Sequence, residues 1–355
     1  MILLKLDQIT GEEIIARPIM TEDYKELLSE GTKIKLEYLP KLNDLGIKEV
    51  YVKEVYAKDD IIKSESILIL KEEVNNKCKD KVREIISKHT YRKSQDMMEI
   101  CKTADKIIAN ILQEEEIVEQ IYDIKERDAD IYEHSISTCT LATLVSLRMH
   151  LDNDIVHDIG VGCLLHDLGL RYITVQYDNV SLERMTEKDL EEYRIHPIYG
   201  YSAVKNEDWL SKISKEIVLC HHERLNGTGY PLHVTEISVE TKIASLCDFF
   251  DESICGIGFE RIKVHEVVEY IKTYKGILFD ENIVDVLLEF TAVYPSESKV
   301  ITNEGETAIV IRQNKHFPER PVLRIVADKN GKIIDTIVVK DLLQYNNIFI
   351  EKVIN

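Results

Sequence analysis

Residues 157–170 read HDIGVGCLLHDLGL, and this stretch decides how the rest of the chain is understood. It holds a His-Asp pair twice, at His157-Asp158 and at His166-Asp167. The second pair follows the apolar run Val161 to Leu165, which belongs in a core. If the segment is one helix, nine residues at about 100° each put His157 on the face opposite His166. The second pair is therefore the one expected in a buried site.

Composition limits what such a site can serve. The 355 residues suffice for two or three domains, and 44% hydrophobic with 31% charged residues is the composition of a globular chain. A formal charge of −19 excludes a broad nucleic-acid footprint, because no basic patch is available at domain scale. It leaves room for a small phosphorylated ligand held through cations. The seven cysteines form no CxxC pair and read as reduced. The N-terminal MILLKLDQITGEE lacks the pattern of a signal peptide, and no run reaches the ~18 apolar residues of a membrane span. The chain is expected to be cytoplasmic, with no membrane contact.

Residues 1–70 read as a small mixed α/β unit, with a helix over 38–45 and the alternating strand KEVYVKEVY. Residues 71–127 read as charged helices with a solvated face, which could also mediate a homodimer. Residues 128–293 hold nine of the eleven histidines and are helical in period throughout. Residues 294–355 read as a small β-rich unit, with strands in TAIVIRQN, PVLRIVAD and KIIDTIVVK and a hairpin turn at Asn330-Gly331.

Several polar residues sit within or just behind apolar runs: His134, His166-Asp167, His221-His222 and Asp248, with His196 ahead of Pro197. One buried histidine is commonly a hydrogen-bonded core residue, and one Asp at a helix start is commonly a cap. Five histidines and two aspartates are harder to bury without a shared partner, and a metal satisfies several at once. Imidazole with carboxylate suits Fe, Mn, Zn or Co.

In order and spacing, His134-Ser135, His166-Asp167-Leu168-Gly169, His196-Pro197, His221-His222-Glu223, Asn226 to Pro231 and Asp248 resemble the HD-GYP family of metal-dependent phosphohydrolases. The likeness spans about 128–293. It implies a mainly α fold with a helical HD-type bundle core, flanked by the N-terminal α/β unit and the β-rich extension. It also implies one ion on His134, His166, Asp167 and Asp248, and a second on Asp167, His196, His221 and His222, with Asp167 bridging. His166 and Asp167 would then be catalytic, and a metal-activated hydroxide would hydrolyse cyclic di-GMP to pGpG or GMP. Two or three divalent ions, Fe or Mn above all, are the implied cofactor. A cyclic dinucleotide is the implied substrate, and a GGDEF-type protein a possible signalling partner.

Asp130, four residues before His134, occupies the position that holds a third ion in some members; an i,i+4 hydrogen bond to His134 is the other reading. Arg171, Asn226, Gly227, Gly229, Tyr230 and Arg261 are the candidate substrate contacts. The family's Lys after HDxG is replaced by Leu170, and Ile257 and Glu260 stand where basic residues are usual. The metal ligands thus look complete while the phosphate clamps are altered. That leaves open a nucleotide-binding module with little turnover, or a protein whose histidines merely pack. The metal count of Asp130→Ala separates the two readings of Asp130: it falls by one if Asp130 is a ligand and is unchanged if Asp130 only hydrogen-bonds.

Overall fold

A computed structural model describes residues 2–6, 9, 13–20, 26–29, 31–53, 72–88, 98–112, 122, 124–127, 129–177, 180, 182–258 and 260–354. The expected continuation of the N-terminal strand through 54–56, the helical reading of 113–121 and the boundaries at 70–71 and 128 fall on residues outside this set.

The N-terminal unit pairs β1 (Ile2–Lys5) and β2 (Ile14–Ile15) antiparallel on either side of β5 (Glu49–Lys53), with Ile2 opposite Val52. A short β3 (Ile19–Met20) pairs with β4 (Glu26–Leu28), and α1 (Leu39–Asp44) precedes β5. Alternation along β5 puts Val50 and Val52 into a small core with Ile15, Ile34 and Leu42.

The helices form the main body: α2 (Glu72–Lys88), α3 (Glu99–Leu112), α4 (Ile131–Arg148), α5 (Asn153–Leu165), α6 (Glu187–Arg194), α7 (His196–Val204), α8 (Lys212–Cys220), α9 (Val239–Cys255), α10 (Val264–Thr273) and α11 (Glu281–Phe290). Their starts are written in side chains. Asp130, Thr186, Ser211, Ser238 and Asp280 each accept a backbone N–H from the first turn of α4, α6, α8, α9 and α11. Helix α9 ends on Gly256, whose φ of +86° is left-handed. The central helices α4, α5 and α9 supply a single core with Ile136, Leu144, Leu164, Leu246 and Phe250 fully buried or nearly so. Helix α5 stops at Leu165 and the chain tightens into a 3₁₀ segment, His166–Tyr172, so the condition of one continuous helix through residues 157–170 is not met.

The C-terminal unit is one antiparallel five-stranded sheet in the order β10-β6-β7-β8-β9, from β6 (Lys299–Thr302), β7 (Thr307–Arg312), β8 (Val322–Ala327), β9 (Ile333–Asp341) and β10 (Ile350–Ile354). The β8–β9 turn uses Asp328, which accepts from Asn330 N and Lys332 N at 2.9 Å, with Gly331 at φ +78°. Strands β6 and β10 go beyond the sequence reading. Each is only four or five residues long, and the two, though neighbours in the sheet, lie far apart in sequence, so local alternation carries little signal. Among the described residues no helix is long and apolar enough to cross a membrane.

One close approach positions the centre of the helical body. A Cβ on Gly169 would lie 1.8 Å from the His196 carbonyl oxygen, so only glycine lets the 3₁₀ segment meet α7. Gly169→Ala is expected to cost about 3 kcal/mol or more and to lower Tm by about 6–12 °C. A thermal melt within about 2 °C of wild type would show that the two backbones are not held this close.

Candidate metal centre

The residues that flank Gly169 are the ones that carry chemistry. His134 comes from the first turn of α4 and Asp248 from the middle of α9. His166 and Asp167 open the 3₁₀ segment, His196 opens α7, and His221-His222 follow α8. Helix ends and one helix middle thus deliver seven side chains to one place, and all seven are buried.

They form two sets joined by one carboxylate. In the first, His134 Nε2 and His166 Nε2 are 3.2 Å apart and lie 3.0 and 3.1 Å from Asp248 Oδ1. Asp167 Oδ2 is 3.3 Å from His166 Nε2 and 3.7 Å from His134 Nε2. In the second, His196 Nε2 and His221 Nε2 are 3.2 Å apart, and Asp167 Oδ1 is 3.3 and 3.8 Å from them. His222 completes this set, whose donor atoms all lie within 4.8 Å of one another. Asp167 therefore turns one oxygen to each set.

The outer nitrogens explain why the inner ones face each other. His166 Nδ1 is 2.6 Å from Cys163 O, His196 Nδ1 is 2.8 Å from Tyr193 O, and His221 Nδ1 is 3.1 Å from Ile217 O. A carbonyl only accepts, so each of these Nδ1 atoms carries the proton. The neutral rings then aim Nε2 lone pairs inward. His134 Nδ1 is held differently, 2.9 Å from Asp251 Oδ2, and Asp251 in turn accepts from Arg127 at 2.8 and 3.0 Å.

Opposed lone pairs at 3.2 Å need a positive charge between them. Without a metal, protons supply it in the first set. Burial disfavours a charged His166, but Asp167 and Asp248 outweigh it and push the imidazole up to about 10. His134 is likewise raised well above the ordinary histidine range, burial being overcome by Asp248 and Asp251. Asp167 and Asp248 sit well below the usual carboxylate range, because the imidazoles beside them overcome the burial that would raise them. His221 is driven down to about 3, by burial first and then by His166. His222 Nε2 and Asp248 Oδ2 are buried without any hydrogen-bond partner. Imidazole nitrogens, a bridging carboxylate, proton-held outer nitrogens and orphaned inner atoms are what divalent metals require. The residues present fit such a group.

The remaining candidates fall elsewhere. Asp130 caps α4, accepting from Tyr132 N and Glu133 N, and its carboxylate faces Arg83 and, at 3.6 Å, Lys79. It belongs to none of the converging sets among the described residues, and His134 turns its nitrogens to Asp251 and Asp248 instead. Tyr230 stacks on His222, with centroids 4.5 Å apart. Gly229 is required nearby, since a Cβ there would lie 2.4 Å from Glu223 Cα. Gly227 turns the same loop at φ +76°, and exposed Asn226 closes it by accepting from Thr228. Arg171 donates to the Ile86 carbonyl, and Arg261 is exposed between α9 and α10. His157 is partly exposed, 3.5 Å from Asp105.

Sequence reasoning missed the groups that orient the ligands. The Glu223 carboxylate accepts from Leu232 N, His233 N and Val234 N at 2.6, 3.1 and 3.2 Å, tying the glycine-rich loop to the residue after His222. Asp251 and Glu252 follow Asp248 by three and four positions on α9, a spacing that could have marked them as one buried acidic face. Burial, reinforced by Asp248, pushes Glu252 well above the carboxylate range. Arg127 gave no such signal, being 124 residues from Asp251 in sequence.

The chain is similar to known proteins in its domains, its sequence and its fold. Residues 116–283 match the model of the HD domain, and residues 299–355 match that of a KOW domain associated with HD domain. The chain is 23% identical over 232 residues to a cyclic di-GMP phosphodiesterase of Pseudomonas aeruginosa, covering 64% of this chain and 56% of that one. It is 26% identical over 206 residues to a cyclic di-GMP phosphodiesterase of Borreliella burgdorferi, covering 57% and 53%. It is 30% identical over 154 residues to a cyclic di-GMP phosphodiesterase response regulator of Xanthomonas campestris pv. campestris, covering 42% and 40%. The chain spans about half the length of the curated relatives it matches. The fold is similar to that of an HDG"Y"P protein from Bdellovibrio bacteriovorus, with a TM-score of 0.53 at 17% identity over 81% of this chain and 97% of that one.

A metal entering the first set must displace the proton on His166. Because that imidazole stays protonated up to about 10, metal affinity is expected to keep rising with pH between 7.5 and 9, by up to about tenfold per unit for each proton displaced. An ordinary histidine would give a curve that is flat above about pH 7.5. Chelator competition across this range distinguishes the two.

Proposed function

Because the chain belongs to the HD-GYP family, we propose that it is a metal-dependent phosphodiesterase that hydrolyses cyclic di-GMP, or a close relative, to a linear dinucleotide or mononucleotide. The observation that carries this reading is Asp167, whose two oxygens face two separate imidazole sets. Two or three divalent ions are its cofactor; the family resemblance points to Fe or Mn, and the imidazole and carboxylate donors suit these ions as they do Zn or Co. When bound, such ions lower the pKa of water and neutralise charge on a phosphodiester.

The chain's own residues do the rest. His134, His166, Asp167 and Asp248 would hold the first ion, and Asp167, His196, His221 and His222 would hold the second. The carbonyls of Cys163, Tyr193 and Ile217 keep a proton on each Nδ1, so that the ring nitrogens facing inward stay available as ligands. Arg127 orients Asp251, and Asp251 fixes the ring of His134. Tyr230, half-buried, stacks on His222 and lies under the Arg194 guanidinium, 5.7 Å from its ring centroid, so it braces the second imidazole set.

A second reading has its own support. Leu170 and Ile257, where the family carries cations, are both 2% exposed and apolar, and Glu260 is paired with Arg184. A centre without these clamps could bind a cyclic dinucleotide and turn it over slowly, acting as a signalling module in the cytoplasm, alone, as a homodimer or with a GGDEF-type partner.

Protein loaded anaerobically with Fe(II) or Mn(II) is expected to release linear product from cyclic di-GMP. His166→Ala and Asp167→Asn are each expected to lower kcat by about 10³-fold or more. Tight binding of cyclic di-GMP without product favours the second reading. Neither product nor binding, from cyclic di-GMP or from other cyclic dinucleotides, rejects both.

A further inference from the structure

The helical body and the C-terminal sheet enclose a cavity of about 360 Å³ that none of the seven ligands lines. Three segments meet there: residues 125–126, the start of α10, and the chain from Val293 into β6, with the end of β10 closing one side. Ligand sites favour such joints between units, with volumes of roughly 300–1,000 Å³. The chain carries a net charge of −19, yet Lys125, Lys263 and Lys299 line this cavity against only two acids, Glu126 and Glu297. Glu126 is spent on the backbone, its Oε1 accepting from Val264 N at 2.9 Å. Glu297 reaches Lys125 at 3.1 Å but is 69% exposed, and such a pair contributes little and opens readily. Half-buried Lys263 has no ion-pair partner among the described residues.

We propose that this cavity is a second nucleotide site, which takes a nucleoside monophosphate. The ammonium groups of Lys125 and Lys263 meet the phosphate. His265 and Tyr294 line the same cavity, their rings 28° from parallel with centroids 6.2 Å apart, and a nucleobase extends this pair. The volume is at the low end of the ligand range, which suits one nucleotide and not a cyclic pair. None of these residues is a metal ligand, so the proposal stands apart from the metal-centre reading.

The wall of the cavity continues toward the metal centre. Arg127 follows Lys125-Glu126 directly; its N–H donates to Ile254 O at 3.3 Å, and its guanidinium holds Asp251, which holds His134. On the other side, Tyr122 N donates to Phe290 O at 2.7 Å. Tyr122 and Arg127 thus anchor the chain on either side of Lys125. A phosphate that engages Lys125 acts on the backbone that positions Arg127, and so bears on His134 from outside the centre.

The test is calorimetric titration of the full-length chain with GMP and with AMP, after dialysis against a chelator so that no phosphate binds through an ion. One nucleotide per chain is expected to bind, with the bare nucleosides and inorganic phosphate each weaker by about tenfold or more. Lys263→Glu is expected to weaken nucleotide binding by about tenfold or more, and His166→Ala to leave it unchanged. Hydrogen exchange of wild type is expected to slow, on adding nucleotide, in peptides covering 122–127 and 262–266. The proposal is overturned if neither nucleotide binds metal-free wild type, if His166→Ala weakens binding, or if a folded Lys263→Glu binds as wild type does. Protection confined to peptides that carry the seven ligands overturns it whether or not the variants fold. None of these outcomes bears on whether Asp167 joins two ions.

Discussion

Everything in the helical body answers to one constraint: a carboxylate, Asp167, is buried between two groups of imidazoles whose nitrogens point at it and at each other. Protons can fill the first group, as the upward displacement of His166 and His134 describes, and divalent cations can fill both. The cations have the better geometry, because a proton can sit between only two atoms while an ion accepts four or more ligands.

The fold serves this constraint by bringing element ends together. His166, His196 and His221 each stand at or beside a helix boundary and point Nδ1 at a carbonyl three or four residues back. Backbone geometry, more than neighbouring side chains, therefore fixes the tautomer. Gly169 and Gly229 allow backbones to approach where any side chain would collide, and Glu223 ties the glycine-rich loop to the ligand pair before it. Arg127, Asp251 and His134 form an orienting chain made of side chains. These supports are what keep the ligands in place, and outer partners of this kind commonly change metal affinity by about 10–100-fold.

Much of this was legible in the sequence. Polar residues directly behind apolar runs, as in VGCLLHD and EIVLCHH, can only be buried, and the helical period located the elements that carry them. The hairpin at Asn330-Gly331 and the three longer C-terminal strands were equally local. The shorter β6 and β10 were not, since their pairing joins residues some fifty positions apart and leaves little alternation in either strand. Asp130 illustrates the opposite limit. Its spacing from His134 was right for a shared helix face, yet the N-cap position directs its carboxylate to the first-turn N–H groups and to Arg83. Arg127 and the anchoring role of Glu223 escaped notice because their partners are distant or are backbone amides, neither of which leaves a pattern in one sequence.

The central claim is that Asp167 lies between two cations. Anomalous diffraction from crystals of anaerobically Mn-loaded protein tests it most directly. The expected result includes a pair of peaks about 3.5–4 Å apart, one against each Asp167 oxygen, with or without a further peak elsewhere. A single peak, or peaks that leave either Asp167 oxygen without an ion, would contradict it.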